Sequence, residues 1–263
     1  MLTRRQFIAA GTASAAAAGG AFLLEETCYS PFPRQLRITH HAVPGPGALA
    51  GKRIAVAADL HIGHFFGPEE FRILLSHLEE LKPDMVAFPG DFTDVAGADL
   101  GEYLDLHGRR PWTTYFSPGN HDKTGPQDTR TQRDLAAAGW RVLCNEREDH
   151  ADYAVIGMES GLRGPIDYGT LKTRKFKIVL GHEPDFWRGY LEPNLLHLAG
   201  HSHGGQVQLF GGPLILPEAG RIYYQGRYER GNNNRLIVSR GIGTKMVNVR
   251  INCPPEIVVV TFT

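Results

Sequence analysis

Five short segments of the sequence carry carboxylate, amide and imidazole side chains, and each segment directly follows an apolar run. They are Asp59-Leu60-His61, Gly90-Asp91-Phe92-Thr93-Asp94, Gly119-Asn120-His121-Asp122, Gly181-His182 and Gly200-His201-Ser202-His203. Aspartate, asparagine and histidine without cysteine form a borderline-hard ligand set, which suits zinc, manganese, iron or cobalt. The sequence therefore indicates a metal site built from loops at strand ends.

Seven of these side chains are enough to hold two adjacent metal ions if one carboxylate is shared. They are Asp59, His61, Asp91, Asn120, His182, His201 and His203. A single Asp-x-His or Gly-His is common in turns and carries little information by itself. The spacing of His201 and His203 is more specific, because alternate residues of an extended segment point the same way. Together the five segments predict a centre with two divalent ions, for which manganese, zinc or iron fit best.

The apolar runs have the lengths of buried strands, and two longer segments have helical spacing. Arg53–Ala58 is too short for a helix, and Met85–Phe88 and Thr114–Phe116 precede the next two polar segments. Pro68–Lys82 begins with proline and acids and repeats large apolar residues at helical intervals, and Gln132–Ala138 is predicted as a second helix. Later strands are predicted at Tyr153–Ile156, Lys177–Leu180, Leu195–Ala199, Gln206–Leu209, Leu236–Ser239 and Ile257–Phe262.

The order of these elements predicts the architecture. Early strands alternate with helices, whereas the later half is almost entirely strand and turn. This favours an α/β fold in which two mixed β-sheets pack face to face with helices outside. Because the chain shows no internal repeat or inter-domain linker, residues 31–263 are expected to form one domain.

The N-terminus predicts export. Arg4 and Arg5 precede an alanine-rich apolar run that extends from Ile8 to about Leu24. A twin arginine before a moderately hydrophobic stretch is typical of a Tat signal. We therefore expect residues 1–30 to be a signal, either cleaved or kept as a membrane anchor, and the protein to be periplasmic, extracytoplasmic or membrane-attached.

Composition excludes several other classes of protein. Lysine and arginine number 28, as do aspartate and glutamate, so no broad basic face for long nucleic acid is expected. The cysteines, Cys28, Cys144 and Cys253, are odd in number and widely spaced, which fits neither a disulfide framework nor a thiolate zinc site.

The five segments resemble the calcineurin-like metallophosphoesterase superfamily, and the resemblance runs from about Lys52 to the C-terminus. It implies a four-layer sandwich of two mixed sheets with flanking helices, and a dinuclear centre at the strand ends. It assigns Asp59, His61 and His203 to one metal and Asn120, His182 and His201 to the other. It further implies that Asp91 bridges the metals, that His121 protonates the leaving oxygen, and that Asp94 orients His121.

The resemblance also implies the reaction, which is hydrolysis of a phosphomonoester, phosphodiester or pyrophosphate by a metal-bridging hydroxide. Tyr224–Tyr228, Val238–Gly243 and Asn252–Ile257 resemble a branch of exported or membrane-attached bacterial phosphoesterases. Some relatives of that branch hydrolyse UDP-diacylglucosamine in lipid A synthesis, which gives an alternative function. The expected substrate is a small phosphoester or a lipid-linked phosphate, and the expected state is a monomer.

Three other points stay open. A non-catalytic scaffold of the same fold should have lost ligands or the acid histidine, and here all are present. His64, Arg163, Arg240 and Lys245 could contact substrate or could simply be solvated. Apolar residues could form a lipid-facing lip or belong to the core; they are Phe65, Phe66, Phe210, Leu214, Ile215 and Leu216.

Overall fold

The computed structural model describes residues 28–29, 32–125 and 127–263. The predicted export signal over residues 1–30 lies outside this range, apart from Cys28 and Tyr29. Among the described residues, no helix is long and apolar enough to cross a membrane.

The described residues form short strands and three α-helices. The strands are β1 Cys28–Tyr29, β2 Arg37–Val43, β3 Arg53–Val56, β4 Met85–Pro89, β5 Thr113–Ser117, β6 Arg141–Val142, β7 Glu146–Asp149, β8 Tyr153–Gly157, β9 Phe176–Leu180, β10 Leu195–Ala199, β11 Gln208–Leu209, β12 Gly212–Pro213, β13 Gly226–Arg230, β14 Asn234–Val238, β15 Arg250–Ile251 and β16 Glu256–Phe262. The α-helices are α1 Pro68–Leu81, α2 Gly101–His107 and α3 Arg130–Ala137.

Twelve of these strands form two mixed sheets of six. The first sheet has the order β2-β16-β3-β4-β5-β6, and the second has the order β13-β14-β10-β9-β8-β7. Strands β3 to β6 run parallel, as do β8, β9, β10 and β14, whereas β16 is antiparallel to β3. Because parallel strands end at the same edge of a sheet, the polar loops that follow them are brought together.

Side chains alternate between the two faces of each strand, and this alternation explains why one core lies between the sheets and another lies under the helices. On β3, Ile54 and Val56 enter the core between the sheets, while Ala55 faces the helices. Ile178 and Leu180 of β9 meet that same central core from the second sheet. Residues at successive positions point to opposite faces of a strand, so the central strands β4, β9 and β10 are buried on both faces.

Helix α1 covers the outer face of the first sheet. Phe71, Leu74 and Leu78 are buried at the helical spacing predicted from the sequence. The helix begins at a proline, with the Glu70 carboxylate accepting a hydrogen bond from the backbone of Gly67 at 3.0 Å. Helices α2 and α3 lie on the same side, while short 3₁₀ turns with Trp187 and Tyr190 cover the outer face of the second sheet. The predicted fold class, two mixed sheets flanked by helices, is confirmed.

Some predicted elements differ from the structure. The strand expected at Gln206–Leu209 is reduced to the two residues of β11, because Gln206 has a left-handed φ of 52° and its side chain binds backbone elsewhere. Helix α2 and the polar edge strands β2, β7 and β13 were not predicted, since they lack a continuous apolar run.

Candidate metal centre

The five polar segments converge where strands of both sheets end. Asp59 and His61 follow β3, Asp91 follows β4, and Asn120 follows β5 of the first sheet. The remaining ligands predicted from the sequence, His182, His201 and His203, follow β9 and β10 of the second sheet. Hydrogen bonds join the two sets: the backbone N–H of His201 donates to Asp59 Oδ1 at 2.8 Å.

Asp59, His61 and His203 form one potential metal-binding group. Their ligand atoms all lie within 4.8 Å of one another, and all three residues are buried. The Nε2 atoms of His61 and His203 are 3.0 Å apart. Two imidazole nitrogens that face each other at this distance can be bound by one cation between or beside them.

Asp91, His182 and His201 form a second group with the same property. Asp91 Oδ2 is 3.1 Å from His182 Nε2, which is 3.2 Å from His201 Nδ1. The same Asp91 oxygen is also 3.7 Å from His61 Nε2 of the first group. Asp91 is thus the carboxylate that lies between the two groups.

Two buried oxygens at this site lack a donor among the described residues. They are Asp59 Oδ2 and Asn120 Oδ1. Burial raises the pKa of the Asp59 carboxyl to about 6, and the neighbouring Asp91 adds to this effect. An unpaired buried acceptor costs free energy unless a cation or donor meets it. The ligand atoms of this site therefore fit divalent cations.

Backbone carbonyls orient two of the imidazoles. His182 Nδ1 donates to the Pro89 carbonyl at 2.9 Å, and His201 Nε2 donates to the Glu218 carbonyl at 2.6 Å. The other nitrogen of each ring is then free to bind a metal. Burial, aided by the nearby His182, lowers the pKa of His201 to about 4, which keeps this ring in the neutral form that ligation needs.

Five of the seven predicted ligands share an unusual backbone conformation. Asp59, His61, Asp91, His201 and His203 have φ values of 57°, 52°, 49°, 71° and 49°. Left-handed φ in residues other than glycine costs free energy and concentrates at functional sites. Sequence patterns do not predict it.

Gly119 shows how closely the loops approach one another. A β-carbon at this position would overlap the backbone and carboxylate of Asp91. Asp122, which had no predicted role, is buried and accepts hydrogen bonds from the backbone of Thr93 and Gly119, both at 2.9 Å. These contacts fix the loop after β5 against the loop after β4.

The predicted acid, His121, lies beside the metal groups. Its ring centroid is 5.1 Å from that of His61, and its backbone N–H donates to Asp91 Oδ1 at 2.8 Å. Its Nδ1 donates to the backbone carbonyl of Asp94 at 2.9 Å. This hydrogen bond leaves Nε2 as the nitrogen that can exchange a proton with substrate.

The side chain of Asp94 has a different partner from the one expected. Its Oδ1 lies 3.1 Å from His61 Nδ1 and accepts a hydrogen bond from Lys245 Nζ at 2.6 Å. His61 and Lys245 hold the pKa of this carboxyl well below its ordinary value. The Asp94 side chain thus orients the ligand His61, while its backbone carbonyl accepts the hydrogen bond from His121.

A cleft of about 420 Å³ opens onto the metal groups. Leu214 and Ile215, from the proposed lip, line it and are exposed, whereas Phe66 belongs to the core. Of the cations considered from sequence, Lys245 lines the cleft, Arg240 pairs with Glu256, and Arg163 donates to the Asn120 carbonyl at 2.7 Å.

The fold and these groups define a metal-dependent phosphoesterase, and comparison with known proteins identifies its family. The profile of the calcineurin-like phosphoesterase family matches residues 52–207. The chain therefore belongs to this family and is a metal-dependent hydrolase of phosphoester bonds.

Relatives with assigned names agree with this placement. The chain is 30% identical to the uncharacterized metallophosphoesterase YkuE of Bacillus subtilis, over 99% of this chain and 97% of the relative. It is 27% identical to the phosphodiesterase YaeI of Escherichia coli, over 98% of each chain. A dimetal phosphatase from Danio rerio shares the fold with a TM-score of 0.50 at 9% identity, covering 81% of this chain and 100% of that structure.

Proposed function

We propose that this chain holds two divalent metal ions that share Asp91 and hydrolyses a small phosphoester at them. The observation that carries the proposal is the position of Asp91 Oδ2, 3.1 Å from His182 Nε2 and 3.7 Å from His61 Nε2. Asp59, His61 and His203 would hold one ion, and Asn120, His182 and His201 the other. Manganese, zinc and iron all suit this ligand set.

When bound, such a pair of ions activates water and neutralises charge on the phosphoryl oxygens. The chain itself must position the substrate and move one proton. His121 lines the cleft with Nδ1 held by the Asp94 carbonyl. Its Nε2, when protonated, gives that proton to the leaving oxygen, a contribution worth about two to four powers of ten in rate.

The proposal is tested with the full-length protein stripped of metal and reloaded separately with Mn²⁺, Zn²⁺ or Fe²⁺. We expect metal-dependent cleavage of p-nitrophenyl phosphate or bis-p-nitrophenyl phosphate, and the preferred ester distinguishes monoesterase from diesterase activity. Absence of turnover of both esters and of a pyrophosphate with all three ions would overturn it.

UDP-diacylglucosamine pyrophosphatase activity is a second candidate. The apolar cleft wall at Leu214 and Ile215 favours it, because that substrate carries acyl chains beside its phosphates. Direct assay of UDP-diacylglucosamine against UDP-glucose separates the two functions. Equal rates for both nucleotides would exclude the lipid-specific assignment.

We also propose that the protein is exported by the twin-arginine route, on the strength of Arg4, Arg5 and the apolar run that follows. Replacing both arginines with lysine should retain the protein in the cytoplasm. Continued appearance of the double variant outside the cytoplasm would contradict the proposal.

A further inference from the structure

Two loops beside the metal groups, residues 207–217 and 244–249, expose a cluster of apolar side chains. Of the thirteen exposed large apolar side chains in the described residues, six lie on these loops: Leu209, Phe210, Leu214, Ile215, Met246 and Val247. Scattered single apolar residues are normal on a protein surface, whereas a cluster beside a reactive site indicates a binding surface.

This apolar surface is continuous with the metal groups. Val207, Leu214, Ile215, Met246 and Val247 line the same cleft of about 420 Å³ as His61, Asp91 and Asn120. The rest of a molecule whose phosphoryl group lies at the metal groups can therefore contact these five apolar side chains, which we call the apolar wall. The polarity of the side chains in this wall then determines which organic group of a substrate binds best.

The loops are held in place by one glutamine. Gln206 Nε2 donates to the carbonyls of Lys245 and Val247 at 3.1 and 2.9 Å, and Gln206 Oε1 accepts from the backbone of Lys245 at 2.8 Å. The apolar side chains are thus displayed by loops that are bonded to each other.

The polar side chains beside the wall already have partners within the protein. Gln206 uses both ends of its amide on the backbone, Ser202 donates to the Tyr224 carbonyl at 2.6 Å, and Lys245 pairs with Asp94. A sugar or base bound here would lose hydrogen bonds to water and regain few from these groups. A hydrocarbon chain loses nothing by leaving water.

We infer that this wall binds an apolar group attached to the substrate phosphate, so that the preferred substrates are amphiphilic phosphoesters. The occupant is the chain of a single substrate molecule rather than a bilayer surface, because the apolar wall lines the same cleft as the metal groups. This inference rests on the proposed function and names its substrate class.

Binding of n-alkylphosphonates, from methyl to octyl, to the Mn²⁺-loaded full-length protein tests the inference by titration calorimetry. Each methylene that enters the cleft should lower Kd by about two- to fourfold until the wall is covered. Phosphonates are not hydrolysed, so the measurement does not depend on turnover. A Kd that is the same for methyl- and octylphosphonate would overturn the inference.

Matched serine substitutions identify the wall. Ile215→Ser and Met246→Ser, at 70% and 81% exposed positions, should reduce the octyl-to-methyl ratio of affinities, whereas Leu191→Ser, at a 78% exposed position outside the cleft, should not. Because the three positions are similarly exposed, we expect the three substitutions to affect folding to a similar extent. Equal ratios in all three variants would contradict the assignment.

Two further results distinguish this inference from a membrane-docking surface and from the proposed function. Sedimentation with phosphatidylcholine vesicles that needs Ile215 and Met246, without any chain-length effect on free phosphonates, would identify a membrane-docking surface and overturn the substrate assignment. Loss of the proposed function would instead appear as no ester turnover, while the phosphonate series would still report whether the wall binds alkyl chains.

Discussion

The two sheets contribute different chemistry to one centre. The first sheet supplies both carboxylates, Asp59 and Asp91, whereas the second supplies imidazoles, including His182 and His201. Two imidazoles of the second sheet, His182 and His201, are oriented by backbone carbonyls of Pro89 and Glu218. Negative charge for the cations therefore comes from the first sheet alone, whereas neutral ligands come from both sheets, with His61 and Asn120 on the first.

This division predicts unequal consequences for removing one ligand from each sheet. Asp91→Asn should abolish measurable turnover and reduce binding of both ions, since Asp91 lies between the two groups. His201→Asn should weaken one ion only. Metal content by mass spectrometry of the two purified variants checks this, with Asp105→Asn as an exposed control. Equal metal loss in the Asp91 and His201 variants would break the comparison.

The proton donor also belongs to the first sheet. His121→Asn should lower kcat by about a hundred- to ten-thousandfold with metals retained, because general-acid help is lost. The loss should be greater for an alkyl ester than for a p-nitrophenyl ester, since a poor leaving group needs the proton more. His64→Asn provides a nearby exposed control. A loss of the same size for both leaving groups would remove His121 from this role.

Asp94 connects a ligand of the first sheet to a loop that follows the second. Asp94→Asn should weaken metal affinity by about 10- to 100-fold, the usual effect of losing an outer partner of a ligand histidine. Asp84→Asn is a matched control, because Asp84 also pairs with a lysine, Lys52, at 2.7 Å but lies away from the metal groups. Unchanged affinity in the Asp94 variant would show that its contact with His61 has no effect on metal binding.

A buried histidine of the second sheet that is not a ligand gives the smallest effect. Burial lowers the pKa of His197 to about 4, and its Nε2 donates to the Gly181 carbonyl at 2.8 Å. Between pH 6.5 and 4, His197 is protonated in the unfolded chain but stays neutral in the folded chain. The free energy of unfolding therefore falls as the pH falls. His197→Gln should reduce this slope by about 1.4 kcal/mol per pH unit, the contribution of one proton.

Urea unfolding at several pH values measures that slope. The free energy of unfolding above pH 6.5 should carry no contribution from His197 titration, since the ring is then neutral in both states. An unchanged slope in the His197→Gln protein would mean that His197 protonates equally in the folded and unfolded chains.

The sequence predicted the strand ends well, because apolar runs and polar loops are local features. It placed β4 and β9 to within one residue of their observed bounds, and it placed the polar segments at their ends. It could not predict that the side chain of Asp94 contacts His61 and Lys245 instead of His121. That choice depends on tertiary contacts between residues 151 positions apart.

The same limit applies to the apolar wall. Phe66 and Ile215 have similar apolar character in the sequence, yet Phe66 packs in the core and Ile215 lines the cleft. Left-handed φ at Asp59 and Asp91 is equally invisible in the sequence, since these residue types do not require it. Loop conformation and long-range contacts, rather than residue type, decide these features.

The central claim is that carboxylates of the first sheet, together with neutral ligands from both sheets, hold two ions that share Asp91. Anomalous-difference crystallography of the Mn²⁺-loaded protein tests it most directly. We expect two peaks about 3.5–4 Å apart, the usual spacing of paired catalytic metals, with Asp91 between them. A single peak, or two peaks that do not share Asp91, would contradict it.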